Sequence, residues 1–396
     1  MERILRFAKR YLPTPRGETR KHMQRALMYF CRLLPIDQKK AVFSSFAGTS
    51  FDDNPKAIYM EMIKQRPDWK YIWLMPNDKA RFRHAQAVDK DSFFAFYHLA
   101  TARLWVDNCR KESRIVKRKG QYYVQTWHGD VALKKVEKDT EGTLNAEYIA
   151  NCKNDSKMAD LFTAGCRWRA ENFKKAFWYD GEILQLGLPK SDIFYKDPAP
   201  YRKKVCSYFG IPESAKLCLY VPTFRDSREL SCYDMDYHRL KAMLEKNWGG
   251  EWRILVRLHP NIREKQGAAK YDGSVINATP YGEVNELTVS SDLVITDYSS
   301  CMFDALEAGK RVLLYASDME QYLKEREFYF DLRELPFLLA ENNDELEEII
   351  TSRFDEAVYA KKTAAFRERL GFCNSANSSK KVVSYILNRL EGGTIK

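Results

Sequence analysis

Two histidines each close a short apolar run and stand directly before a turn residue. Tyr122-Tyr123-Val124-Gln125-Thr126-Trp127 leads into His128-Gly129-Asp130, and Arg253-Ile254-Leu255-Val256-Arg257-Leu258 leads into His259-Pro260-Asn261. A histidine titrating near neutrality can take a proton from a hydroxyl, or can hydrogen-bond charge on a departing phosphate. Three more loops carry polar side chains at strand ends: Gly187-Leu188-Pro189-Lys190-Ser191-Asp192, Pro222-Thr223-Phe224-Arg225-Asp226 and Thr296-Asp297-Tyr298-Ser299-Ser300. Lys190, Arg225 and Arg257 supply cations, and arginine can grip a phosphate with two parallel hydrogen bonds. Thr223, Thr296, Ser299 and Ser300 supply hydroxyls. Together these groups describe a cleft for a phosphorylated, nucleotide-bearing donor. Taken singly, each also suits an ordinary role, a structural histidine or a serine N-cap.

The elements that must position these groups alternate strand and helix. Residues 289–314 give the pattern most clearly: an apolar run Leu293-Val294-Ile295, the polar loop, a helix with Phe303 and Leu306 at i, i+3, a stop at Gly309, and the run Val312-Leu313-Leu314. Such a run suits a parallel strand buried on both faces, and open α/β sheets bind ligands at strand C-terminal ends. Backbone N–H groups at the following helix start suit a phosphate. Further strands are expected at 41–43, 71–74, 104–106, 122–127, 183–186, 216–221, 252–258 and about 274–276. Helices are expected at 55–64, 93–102, 237–246, about 281–288, 343–350 and 378–390, with Pro55 at the first helical position after Asn54. Residues 147–176 read as mainly helical. This rhythm, broken by the Pro-containing stretch 196–203, implies two Rossmann-like domains with parallel sheets facing across a cleft. The expected divisions are 1–35, 36–200, 201–375 and a closing helix 376–396.

Composition narrows the class. Of 396 residues 45% are hydrophobic and 30% charged, as in ordinary globular chains. Nine cysteines without C-x-x-C pairs fit free thiols, and no zinc-ligand spacing occurs. The chain has neither a Walker A motif nor G-x-G-x-x-G, which argues against a P-loop ATPase or a dinucleotide oxidoreductase. Asp234-Met235-Asp236 could hold a metal, but its place before a helix suits a surface or N-cap role. No metal or other cofactor is expected. The net charge is +11, and the first forty residues hold eleven Lys/Arg against three acids. The remainder is nearly balanced, so nucleic acid is not an expected partner. Residues 1–12 put Ile4, Leu5, Ala8 and Leu12 opposite Arg3, Arg6, Lys9 and Arg10. A second amphipathic segment, 18–34, puts Met23, Ala26, Leu27, Phe30 and Leu34 on one side. Such helices either pack on the main body with their charges solvated or lie on an anionic membrane surface; the charge concentration favours the second, a peripheral protein at the cytoplasmic face of the cell membrane.

In their order and spacing the loops resemble the CDP-glycerol glycerophosphotransferase family of teichoic-acid and capsule synthesis. The resemblance covers residues 41–390 and rests on FSSFAGTSFDDNPKAIY, VQTWHGDVALKK, LGLPKSDIF, YVPTFRD, RLHPN and SDLVITDYSSCMFDALEAGKRVLLY. It implies the two-domain GT-B fold. It also implies transfer of a polyol phosphate from a CDP-linked donor to a prenyl-diphosphate-linked acceptor, with CMP leaving. His128 would then be the base on the acceptor hydroxyl, and His259 would contact the donor pyrophosphate. Arg225, Thr223, Arg257, Lys190, Thr296, Asp297, Ser299 and Ser300 would bind the donor, and Lys134 would face the acceptor. The chain departs from the family pattern where G-Y-P-R-N-D is replaced by 187–192, and where Thr-Pro-Leu-Lys after the His-Gly is replaced by 130–134. A primase-like or capsule-type enzyme is the expected form. The alternatives are a GT-B glycosyltransferase using a nucleotide sugar, and a non-catalytic membrane adaptor on a decayed enzyme fold.

Overall fold

The computed structural model describes residues 17–76, 82–223, 225, 235–258 and 271–392, leaving out the Glu18 side chain. Arg3, Arg6, Lys9, Arg10, His259 and Asp234 therefore lie outside the described residues. Among the described residues thirteen strands form two sheets, every strand pairing parallel. The first contains β1 (Asp37–Phe43), β2 (Lys70–Leu74), β3 (Gln86–Val88), β4 (Ala102–Asp107), β5 (Tyr122–Gln125), β6 (Leu161–Thr163) and β7 (Glu182–Leu184). The second contains β8 (Lys216–Val221), β9 (Trp252–Val256), β10 (Val275–Asn277), β11 (Leu293–Thr296), β12 (Arg311–Tyr315) and β13 (Leu338–Ala340).

The sheet orders are β3-β2-β1-β4-β5-β6-β7 and β10-β9-β8-β11-β12-β13, the same doubly wound sequence twice. Each order reverses once, between β1 and β4 and between β8 and β11. Connections leave in opposite directions there, and a crevice opens beyond the strand C-termini. Of the loops singled out by their chemistry, those after β5, β8 and β11 lie at or beside those two points, while residues 187–192 follow β7 at the edge of the first sheet.

The apolar runs become strands because both faces of each sheet are covered. All four residues of β11 are buried, and so are Ala41, Val42 and Phe43 of β1. On β1, Ala41 and Phe43 pack with Trp73, Ile58 and Met62, while Val42 faces Trp105, Phe96 and Met28 on the other side. Each such side chain contributes about 1.5–3 kcal/mol. The final helix, Ser378–Leu390, returns to the first domain and seats Val382, Val383, Ile386 and Leu387 in the cluster around Trp73. It passes so close to the loop before Lys190 that a Cβ at Gly187 (φ 96°) would meet the Ser378 side chain.

Four expectations change. β3, β6 and β13 were not anticipated, being three residues each and defined by their ladder partners more than by their own pattern. β6 divides the stretch 147–176 into the helices Ala146–Met158 and Arg167–Ala176. The helix Asp53–Gln65 is capped by Asp52, whose side chain accepts from the Asp53 N–H at 2.6 Å. Asn54, expected to precede the helix, lies in its first turn, buried. In Gly17–Cys31 the buried face is Gln24, Met28 and Cys31, packed on Phe93–Thr101. Met23, Phe30 and Leu33 stay exposed, so the apolar face expected from spacing is only partly the one that packs. Asp236 caps Tyr237–Trp248 by accepting from the Arg239 N–H, the N-cap role expected of it.

Candidate active site

His128 is aimed by the residues around it. Trp127, the residue before it, has φ 52°, a left-handed conformation that is costly for a bulky side chain and needs outside support. The Trp127 N–H donates to Gln125 Oε1 at 2.9 Å, and its carbonyl accepts from Asn54 Nδ2 at 3.2 Å. Arg169, 1% exposed, donates to the carbonyls on both sides, Thr126 (2.6 Å) and Gly129. The His128 Nδ1 lies 3.1 Å from the Asn108 carbonyl. A carbonyl only accepts, so Nδ1 carries the hydrogen and Nε2 keeps its lone pair. The ring stacks on Trp127 at 4.4 Å and opens to solvent on the cleft side. Dense protein around it, with Lys190 and Arg169 nearby, pushes its pKa below the usual histidine value despite the Asn108 contact and Asp53. The imidazole is neutral at pH 7 and able to accept a proton.

Below this loop Lys190 joins three elements. Its Nζ donates to the His128 carbonyl (3.0 Å) and to Asp304 Oδ2 (3.2 Å), and stands 3.6 Å from Asp53 Oδ2. Its own N–H donates to Asn54 Oδ1 at 3.0 Å. Burial alone would lower this ammonium's pKa, but Asp304 and Asp53 outweigh it and keep the group charged. Lys190 was expected to bind the donor. Its ammonium is engaged in this way and the residue is 8% exposed, so in this structure it supports the backbone of the His128 loop.

The opposite wall comes from β8 and β11. Thr296 is fully buried and donates to the Val221 carbonyl at 2.6 Å, so it fastens β11 to β8 and does not face the cleft. Asp297, 1% exposed, accepts from the Thr223 N–H at 2.8 and 3.0 Å and from Arg225 Nη2 at 2.8 Å. Arg225 also donates to Asp318 (Nε–Oδ2 2.6 Å, Nη2–Oδ1 3.0 Å) and to the Thr223 carbonyl at 2.6 Å. Its guanidinium lies 4.8 Å from the ring centres of both Tyr298 and Tyr322. Burial would raise the Asp318 carboxyl, but Arg225 outweighs it and holds it below the usual carboxylate range. Arg225 and Asp297, expected as donor contacts, therefore form a buried frame that shapes the Thr223 loop.

A cavity of about 840 Å³ lies between the two walls, lined by His128 and Gly129 from the first domain and Thr223, Arg257, Ser299 and Ser300 from the second. A Cβ on Gly129 would be 3.8 Å from Ser300 Oγ, so the loops nearly touch. The volume falls in the range that holds a nucleotide-sized ligand. Lys134, Lys135, Lys324 and Arg326 add positive charge to its lining. Lys134 also bridges the domains, its Nζ 3.0 Å from Tyr322 Oη. The segment after His128 is anchored in the second domain: Val131 and Leu133 belong to that domain's core, and the Leu133 carbonyl accepts from the Tyr329 N–H at 2.8 Å. The loop bearing His128 thus packs into the other domain of the cleft.

Sequence reasoning did not single out Asn108, Arg169 or Asp318, and gave Asn54 only as the residue before a helix start. Asn108 directly follows β4 at the reversal point, so the strand-end argument could have found it. Arg169 lies within a helix and is marked only by burial. Among the described residues no group of His, Cys, Asp and Glu could hold a metal, and no helix is long and apolar enough to cross a membrane.

A family model described as CDP-Glycerol:Poly(glycerophosphate) glycerophosphotransferase matches residues 26–388. The chain is 31% identical over 364 residues to the teichoic acid poly(glycerol phosphate) polymerase of Staphylococcus epidermidis, a match covering 86% of this chain and 49% of that protein. It thus spans about half of that relative's length. It is 29% identical to the protein of the same description from Bacillus spizizenii, covering 90% of this chain and 93% of that one. A solved structure of the wall teichoic acid polymerase TagF superposes with a TM-score of 0.83 at 28% identity, over 94% of each chain. The fold, two parallel-sheet α/β domains facing across a cleft, is GT-B, as expected.

Proposed function

The chain belongs to the CDP-glycerol:poly(glycerophosphate) glycerophosphotransferase family, and on that premise we propose that it transfers glycerol phosphate, or a related polyol phosphate, from a CDP-linked donor to a hydroxyl of a prenyl-diphosphate-linked, teichoic-acid-like acceptor. The observation that carries this reading is His128, its Nδ1 turned to the Asn108 carbonyl, held across the cavity from Thr223, Arg257, Ser299 and Ser300.

In the proposed reaction His128 Nε2 takes the proton of the acceptor hydroxyl as its oxygen attacks the donor's β-phosphorus. The bond from that phosphorus to the bridging oxygen breaks, and CMP leaves with the electron pair. Ser299, Ser300 and the Thr223 loop hold the donor phosphates, and Arg257 adds charge. His259, outside the described residues, follows the cavity-lining pair Arg257 and Leu258; we assign it to the departing phosphate. Lys134, Lys135, Lys324 and Arg326 attract a phosphate-bearing acceptor. The exposed Met23, Phe30 and Leu33, together with the basic residues before them, favour peripheral attachment to an anionic membrane surface.

The test is CMP release from CDP-glycerol in the presence of a prenyl-diphosphate-linked acceptor, with UDP- and GDP-sugars as competing donors. CMP release that requires the acceptor and is lost in His128→Ala supports the reading. Thermal stabilisation by nucleotide sugars alone, with no CMP release, would overturn it in favour of a glycosyltransferase.

A further inference from the structure

A second cavity, of about 350 Å³, opens at the other end of the first sheet, where β1, β2 and β3 begin. Asp37 and Lys40 of β1, Trp69 and Lys70 at the start of β2, and Tyr97 and His98 of the helix Phe93–Thr101 contribute to its walls. It shares no lining residue with the interdomain cavity. Its charged lining residue Lys40 stands three residues, about 10 Å at the usual rise per residue, before the C-terminal end of β1.

Positive charge is concentrated there without an equal negative charge from the protein. Lys40 is 4% exposed, and its Nζ donates to Thr101 Oγ1 at 2.6 Å and lies 4.8 Å from the Tyr97 ring centre. Among the described residues no carboxylate stands within ion-pair distance of it. Its register partner on the parallel neighbour is Lys70, a like charge that opposes it. The nearest acid, Asp37, is engaged by Lys70 at 2.9 Å. His98, nine-tenths buried, has no hydrogen-bond partner at Nδ1. Burial pushes Lys40 down to about 8 and His98 down to about 4. A buried ammonium without a counter-charge is costly, and a wall that retains one beside an unsatisfied imidazole suits an anion.

We propose that this crevice is a second binding site, taking the phosphate group of a small phosphate ester, with Lys40 as the charged contact, His98 and Lys70 flanking the anion, and Trp69 beside the ester's organic part. The site does not depend on the transfer reaction proposed above. The ester could be free in solution or be the headgroup of an anionic lipid. The second source has a route, because His98 lies on the helix against which Gly17–Cys31 packs, and that segment exposes Met23 and Phe30.

The test is calorimetric titration of the full chain with inorganic phosphate and with glycerol 3-phosphate, comparing wild type, Lys40→Met and His98→Gln. We expect a saturable component that weakens about tenfold or more in Lys40→Met, as loss of one charge-assisted contact predicts, while CMP release from CDP-glycerol persists. Lys40→Met removes an uncompensated charge, so its thermal midpoint should hold or rise; if it fails to fold, His98→Gln is judged by the same criterion. Phosphatidylcholine vesicles with and without phosphatidic acid separate the sources. A Lys40-dependent loss with vesicles supports the lipid source, and one confined to the free esters supports the soluble source. Equal binding by wild type and variants in every arm overturns the proposal.

Discussion

Lys190 Nζ lies 3.2 Å from Asp304 Oδ2, joining a loop of the first domain to the helix Cys301–Glu307 of the second. The same ammonium supports the His128 carbonyl at 3.0 Å and stands 3.6 Å from Asp53. One cation thus serves two carboxylates and the backbone of His128. Lys190→Met would leave both carboxylates without their cation, a loss of about 3–5 kcal/mol in a denaturant titration. Displacing His128 should lower kcat by about 10²-fold with little change in the donor's KM. Lys190→Arg should restore part of the stability. An unchanged kcat with a raised donor KM would instead return Lys190 to the donor-binding role.

His128 must be neutral to act as a base. The protein packed around it and the nearby cations hold its pKa below the ordinary value, so the acid limb of kcat/KM should fall below about pH 6.5. Activity is lost as pH drops through the folded-state pKa, and the neutral form prevails above it. His128→Ala should lower kcat by roughly 10²–10⁴-fold and remove that limb from whatever activity remains. A limb that persists unshifted in the variant would assign the proton transfer to another group.

Much of this was legible because the relevant signals are local. An apolar run ending in Thr-Asp-Tyr-Ser-Ser or Trp-His-Gly-Asp states both the strand and the place where its loop must emerge. Two similar halves implied two sheets. Roles decided by distant partners were not legible. Asp297 looks like a ligand residue, yet its carboxylate is occupied by the Thr223 N–H and Arg225, 74 and 72 positions away. Arg169 resembles any helical arginine until the fold brings it beneath the carbonyls of Thr126 and Gly129. The three-residue strands β3, β6 and β13 have too few positions to show a period, and their hydrogen-bonded neighbours define them.

Arg225 tests the same distinction on the second domain. It is 5% exposed and is bound to Asp297, Asp318 and the Thr223 carbonyl. Arg225→Met strands the buried Asp297 and the part-buried Asp318 and should destabilise the protein by about 3 kcal/mol. Asp318→Asn keeps the shape and removes one charge, so it should cost less. Both should weaken thermal stabilisation by CDP-glycerol, because the Thr223 loop loses its frame. Full stabilisation by the donor in a folded Arg225→Met protein would show that this frame is dispensable for donor binding.

The domains also meet where Asp52 approaches Glu283, which in turn is paired with Lys56. Burial, and then the Glu283 charge, raises Asp52 to about 8. An unfolded chain releases that proton near pH 4. Between about 4 and 8 the native state therefore binds more protons than the unfolded state, and stability falls as pH rises through that window. The contribution is complete below it and lost above about 8. Asp52→Asn keeps an oxygen to accept from the Asp53 N–H and removes the titration. Thermal midpoints of wild type and variant should converge near pH 4 and separate progressively toward about pH 8, the variant being more stable. Subtracting the two curves cancels the other titrating groups. Parallel curves across that range would mean that Asp52 is already ionised in the native protein and that the junction tolerates three charges, two acidic and one basic, without penalty.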